Sequence, residues 1–384
     1  NISGIASVTA TTFYGSGANL TGIDATTVED SNGVTRLAGT TSGVVISGTT
    51  SGLSAVGIVT ASAGIDASDA QRNTRVGENA GDSFSGTTTD NTLIGYDAGT
   101  AITSGDGNVA LGSYALDTLT TGADNIAIGL QALDALTTGS NNIAVGSQAL
   151  DANTTASNNT AVGYQALSAN TTGAYNCAFG GNALLANTTG ANNIAVGYDA
   201  LAVNTTGQQN TAVGHQALDA NTTGAYNQAF GQHTLTTNTT GDYNSAFGWG
   251  ALFSNTTADG NTAIGNLALY TNSTGENNTA VGYNALNDNT SASNNVAVGK
   301  DALAVTTTGA TNTSVGSNTL DANTTGSSNT ALGYAALGAN TTADHNTGIG
   351  YAALYDNTTG TQNTAIGYAA LGANTTADNN TAIG

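Results

Sequence analysis

The sequence has no proline and no methionine, one cysteine, and four basic residues among 384. The single thiol, Cys177, excludes an internal disulfide framework. The four cations are Arg36, Arg72, Arg75 and Lys300, and they leave a formal net charge of −21. Nucleic-acid binding needs clustered cations to replace counterions, so it is not expected. An anionic membrane surface would repel such a chain. No apolar run approaches the ~20 residues that cross a bilayer. Charged residues are 8% of the chain, against about 25% in ordinary domains. Disordered chains are usually rich in charge and proline and poor in aliphatics. Here 39% is hydrophobic, and the aliphatics recur at fixed positions. Neither an initiator methionine nor a signal-peptide pattern precedes Asn1, and Gly384 falls in mid-repeat. The chain is therefore expected to be an internal piece of a longer protein.

What is abundant is periodic. Asn recurs at 91, 108, 125 and every 17 residues to Asn380, eighteen times without a miss, and Gly follows four residues later each time. The consensus is N-x-A-V-G-Y-x-A-L-x-A-N-T-T-G-x-x, with slots numbered 1 to 17 from this Asn. Slot 4 is always apolar, slot 3 is nearly always Ala, and slot 9 is Leu in sixteen consecutive repeats from Leu116 to Leu371. Slots 12–14 are usually Asn-Thr-Thr, with Leu119 and Leu136 replacing the Asn early on.

Such a repeat cannot be helical. Gly breaks helices, and the residues around it favour strands. Asn-Thr-Thr-Gly is turn chemistry, because Asn and Thr side chains compete for backbone hydrogen bonds. Slots 2–5 are predicted as one strand, slots 7–10 as a second and slots 12–17 as a long turn. A parallel β-solenoid of eighteen coils follows, about 80 Å long at the ~4.8 Å spacing of stacked strands. Each slot then lies above its own copy as a structural ladder. Asn159, Asn176, Asn193 and Asn210 form one rung set, Gly163, Gly180, Gly197 and Gly214 a second, and Leu167, Leu184, Leu201 and Leu218 a third. Stacked Asn amides can bond along the axis. The Asn-Thr-Thr triplets match the N-glycosylation sequon but read as turn ladders.

Strand alternation separates slots 2 and 4 from slots 3 and 5. The branched aliphatics of slots 2 and 4 are expected to meet the slot-9 leucines in the core. The Ala/Gly face would then point outward, where small residues let another backbone come close. That expectation motivates a homotrimer.

The strings Asn142-Ile143-Ala144-Val145-Gly146 and Asn363-Thr364-Ala365-Ile366-Gly367 resemble the core of the head repeats of trimeric autotransporter adhesins. The resemblance covers residues 91–384 and rests on about five slots. It implies a trimeric, left-handed parallel β-roll, with a longer turn than that family's shorter repeat has. The N-terminal string TATTFYGSGANLTGI, Thr9 to Ile23, resembles a segment of tail-fibre and other structural proteins of marine cyanophages. Residues 59–65 echo part of it.

Three regions are therefore expected: an irregular β-rich segment at 1–70, a transition with a degenerate repeat at 71–90, and the regular array at 91–384. In the transition, Arg75-Val76-Gly77 matches slots 3–5, but Gly77 lies 18 residues before Gly95.

No catalytic constellation stands out. His215, His233 and His345 occupy slots 6, 7 and 17 and lack partners at metal-ligand spacing. Cys177 fills a slot that elsewhere holds Thr, Ile, Ser, Gln or Val. Acids line up in slot 10 (Asp117, Asp134, Asp151) and in slot 16 (Asp242, Asp259, Glu276). Like charges one coil apart repel, and Ca²⁺, which prefers oxygen ligands, would relieve slot 16. Solvated surface acids are the plainer account. The aromatic group Trp249, Phe253, Tyr270, Tyr243 and His233 is a candidate glycan contact.

The expected function is the shaft of a virion tail fibre, non-enzymatic, holding a receptor-binding tip that lies outside this chain. A bacterial surface adhesin or extracellular filament is the alternative. An ice-binding solenoid is a third, weighed against by neighbours such as Thr171 and Thr172 facing opposite ways.

Overall fold

A computed structural model describes residues 27–29, 35–40, 43–45 and 71–384. The chain divides into two units, 1–65 and 66–384. The strings at 9–23 and 59–65 lie outside the described residues.

In the first unit β1 (Thr27–Glu29), β2 (Thr35–Thr40) and β3 (Gly43–Val45) form an antiparallel sheet in the order β1-β2-β3. Its register shifts between Val28 and Glu29.

The second unit is a parallel β-solenoid with one three-residue strand per coil, from β4 (Thr74–Val76) to β22 (Thr381–Ile383). Registers are exact copies. In β9 (Thr160–Val162), β10 (Cys177–Phe179) and β11 (Ile194–Val196), Ala161, Ala178 and Ala195 align. β4 pairs only with β5 (Thr92–Ile94), and β22 only with β21 (Thr364–Ile366), so the stack is linear and not a closed barrel. The degenerate repeat is its first coil, with Thr74 opposite Thr92. Arg75 stands there in place of the slot-3 Ala and lies over the Phe84 ring, 5.5 Å from its centroid. Nineteen strands give eighteen steps of ~4.8 Å, about 86 Å of rod.

Two expectations are corrected. Slots 7–10 are not a strand. They are turns, with left-handed backbone at slots 7 and 9, as at Gln165 (φ 53°) and Leu167 (φ 56°). The Ala166 N–H donates to the Gly163 carbonyl at 3.4 Å, and the Asn170 N–H to Leu167 at 3.2 Å. Left-handed backbone is costly for a β-branched side chain. Slot 9 accordingly holds Leu, not Val or Ile.

The strand faces are also the reverse of the expected ones. Slot-3 alanines are buried, and slots 2 and 4 point outward: Ala195 is 0% exposed, Ile194 43% and Val196 38%. Interior width decides this. At Gly348, a slot-3 position, an added methyl would sit 3.1 Å from the Ala353 carbonyl and 3.3 Å from Leu337 Cγ. The slot-9 leucines already fill the centre, so only a methyl fits opposite them. The close approach read at slot 5 is real but lies within one chain. Gly163 has φ 139°, and a Cβ there would come 2.4 Å from the carbonyl oxygen of Gly180 in the next coil. The Ala/Gly face therefore gives no ground for a trimer.

Candidate functional site

The chemistry most concentrated in this rod is its buried amides. Each slot-1 Asn closes its own coil and docks the next. Asn193 Nδ2 donates to the Gly207 carbonyl at 2.9 Å, 14 residues on in the same coil. Its Oδ1 accepts the backbone N–H of Asn210 at 3.0 Å. The slot-12 Asn is a second column. Asn204 Nδ2 donates to the same Gly207 carbonyl at 3.0 Å and to Asn187 Oδ1 at 2.8 Å. Slot-13 threonines add hydroxyl bonds to the next coil, as from Thr171 to the Thr188 carbonyl at 3.0 Å. Asn159, Asn176, Asn193 and Asn210 are buried with Leu167, Leu184, Leu201 and Leu218, so both sets form interior columns. Gly163, Gly180, Gly197 and Gly214 sit where successive coils touch.

The slot-16 acids have a backbone task. Asp242 Oδ1 accepts the Ala225 N–H at 2.7 Å, and Asp259 Oδ1 accepts that of Asp242 at 2.7 Å. The Glu276 N–H donates to Ser293 Oγ at 2.9 Å. Short side chains with an acceptor, Asp or Ser, thus satisfy the N–H of the coil before. Among the described residues no three His, Cys, Asp or Glu side chains gather as a metal-binding group.

The slot-10 acids differ. Burial pushes the carboxyls of Asp117, Asp134 and Asp151 above the ordinary range, and neighbouring aspartates add to the shift at Asp117 and Asp134. Cys177 lies half-buried on the outward side of its strand, and burial raises its thiol too.

Of the five aromatic candidates, four are linked by ring contacts. Phe253 stacks on Tyr270 at 5.1 Å, Trp249 lies 6.5 Å from Tyr270, and His233 meets Phe253 edge-on at 6.4 Å. Tyr243 instead stacks on Tyr226 at 4.9 Å in the slot-17 column. His215 and His233 touch edge to face at 5.6 Å. Trp249 stays 46% exposed beside them. A recess does open further along the rod, beside Tyr334, Tyr351 and Tyr355. Sequence reasoning missed it, although three consecutive alanines at slot 7 (Ala335, Ala352, Ala369) were its visible sign.

Comparison of the chain with family models, with curated proteins and with solved structures finds no match.

Proposed function

We propose that the chain is a stiff, non-catalytic fibre shaft, most consistent with a virion tail fibre carrying a receptor-binding tip beyond this segment. One observation carries the reading: coils are bonded to their neighbours around the whole circumference. Thr160 N–H reaches the Asn176 carbonyl at 2.9 Å, Leu167 reaches Ala183 at 2.9 Å, Ala169 reaches Leu185 at 3.0 Å, and Asn192 reaches back to Ala174 at 3.1 Å. Bending such a stack must stretch hydrogen bonds on one side, whichever way it bends. The resemblance of residues 9–23 to cyanophage structural proteins supports a virion over a bacterial surface, where the adhesin-like repeats alone would equally serve.

Association of copies is part of the proposal, on a face different from the one the sequence suggested. Slots 2 and 4 carry no charged residue from Thr92 to Ile383. They line one outward stripe, which includes Phe230 and Phe247 stacked at 4.8 Å. On a chain of net charge −21, this is where copies can approach without opposing acids. The stripe is about 86 Å by about 10 Å, close to the ~800 Å² per partner of a standard interface. The count of three comes from the resemblance to adhesin heads.

Sedimentation equilibrium of the full chain tests this, with a three-chain mass expected at micromolar concentration. The variant Val196→Lys/Val213→Lys should release folded monomers, since both side chains point outward. A stable wild-type monomer would sink the association.

A further inference from the structure

We infer that the recess beside Tyr334, Tyr351 and Tyr355 binds neutral, extended β-linked oligosaccharides, reading successive sugar rings against successive coils. The inference does not rest on the shaft reading.

The site is made by subtraction. Slot 7 is Gln, Asn, Asp or His in most coils, but Ala at 335, 352 and 369. Slot 10 is Gly at 338, and the Tyr355 ring lies over it: a Cβ on Gly338 would meet Tyr355 Cε2 at 3.0 Å. What remains is a recess of about 330 Å³, with Ala335 and Ala352 lining it between the tyrosines. Asn318 and Asp321 of the preceding coil also line it.

Its walls suit a sugar. Tyr334 and Tyr351 stack at 5.4 Å with 15° between planes, and Tyr351 and Tyr368 at 5.2 Å with 7°. Each is half or more exposed. The rings form a terrace with one step per coil, and the rings of an extended β-linked oligosaccharide repeat at nearly the same spacing. Because the stacked rings cover one another's faces, pyranose C–H groups meet their exposed edges, while Tyr hydroxyls, an amide and a carboxylate supply donors and acceptors for sugar hydroxyls. Asn318 Oδ1 accepts from Ser317 Oγ at 2.9 Å, which fixes the amide and leaves its Nδ2 to donate. Asp321 is half-buried and offers acceptors beside it. Pockets of this kind combine apolar walls with a few placed polar groups. A cation cage would need ring faces converging on one point. Here Tyr334 and Tyr351 turn their faces toward each other, so an extended ligand fits better than a compact ammonium.

The test is calorimetric titration of the full chain with cellotetraose and chitotetraose, and with choline as a competing class. At least one tetrasaccharide should bind in the millimolar range or tighter. Tyr351→Ala should weaken binding at least tenfold. Ala352→Gln restores the common slot-7 residue and fills the recess without removing any group, and it should do the same. Tyr164→Ala, at slot 6 of a coil without the recess, should bind like wild type. All variants should melt within a few degrees of wild type, because the altered side chains lie outside the core. No tetrasaccharide binding at millimolar concentration overturns the inference. So does binding unaffected by Ala352→Gln. Choline binding that Tyr351→Ala abolishes, with no sugar binding, would assign the recess to cations instead.

Discussion

Two columns of buried asparagine run through the array, and substitution has touched only one of them. Slot 1 is Asn in all eighteen repeats, whereas slot 12 is Ile102, Leu119, Leu136 and Thr306 in four of them. The two amides share an acceptor, the slot-15 carbonyl, but not their other task. Slot 1 alone gives its Oδ1 to a backbone N–H of the next coil. Where slot 12 is apolar, the shared carbonyl still has its slot-1 partner: Asn91 to Gly105 at 3.0 Å, Asn108 to Gly122 at 2.9 Å, Asn125 to Gly139 at 2.9 Å. A buried backbone group left unpaired costs about 1–3 kcal/mol. Replacing slot 1 strands an N–H of the next coil, whereas replacing slot 12 leaves the shared carbonyl paired.

Direction matters as well. Within a run of Asn, a slot-12 Nδ2 donates to the Oδ1 of the coil before it, as Asn187 does to Asn170 at 2.9 Å. An apolar residue before a run of Asn strands nothing, because the following amide keeps its slot-15 carbonyl. An interruption after an Asn leaves an Oδ1 without a donor. Ile102, Leu119 and Leu136 precede the Asn run. Thr306 interrupts it, and Asn289 Oδ1, one coil earlier, is the buried side-chain atom left without a partner among the described residues.

The largest effect should come from breaking the comparison within one coil. Asn142→Leu removes the acceptor of the Asn159 N–H, 3.0 Å away, and forces a larger apolar group into a packed site. Together these should cost roughly 2–4 kcal/mol. Asn153→Leu, in the same coil, extends the natural apolar run but takes the acceptor from the Ala156 N–H, 3.2 Å away, so it should cost less, about 1 kcal/mol. Urea unfolding of the two variants decides it. Equal losses would mean that the columns are equivalent.

A smaller effect sharpens the same point. Thr306→Asn supplies a donor to Asn289 Oδ1 and restores the column, so it should stabilise by about 1 kcal/mol. A lower urea midpoint for this variant would show that the Thr306 hydroxyl, which donates to the Asn323 carbonyl at 3.0 Å, matters more than the orphan acceptor.

The period, the solenoid and the leucine and asparagine ladders were all legible in the sequence, because a slot repeated eighteen times averages out local noise. The direction in which the strand faces was not. Val and Ile at slots 2 and 4 are more apolar than Ala at slot 3, and hydrophobicity alone puts them inside. What reverses the choice is the volume already taken by residues such as Leu337, which no alternation pattern contains. Gly163 misled in a related way: a close approach was correctly read, but the partner is the next coil and not another chain. Four of the aromatic candidates do meet, because slots 6, 7 and 10 share a turn. Tyr243 lies apart from them, because slot 17 forms a separate column. The recess was missed because missing side chains make it.

The smallest effect expected is on pH dependence, and it contrasts the neutral amide columns with the slot-10 carboxylates. Burial raises the pKa of Asp117, Asp134 and Asp151 in the folded chain, and also of Asp219 and Asp321. A folded pKa above the unfolded value, about 3.9 for Asp, means that the folded state holds the proton more tightly. The resulting stability is complete below the unfolded pKa and is lost as pH rises through the folded one. At neutral pH these groups therefore weaken the rod, and acidification from pH 7 toward about 4 should raise its melting temperature. Asp90 has the opposite sign, because its hydrogen bond with Arg72 lowers its pKa. Its contribution fails only as pH falls through a value below the ordinary range, outside this window. The slot-1 and slot-12 amides do not titrate, so they hold the stack together throughout. Asp134→Asn should raise the melting temperature at pH 7 by a degree or two and flatten the rise on acidification, while Asn153→Leu should leave that slope unchanged. A melting temperature that falls steadily from pH 7 to pH 4 would mean that the slot-10 carboxylates are better solvated than their burial implies.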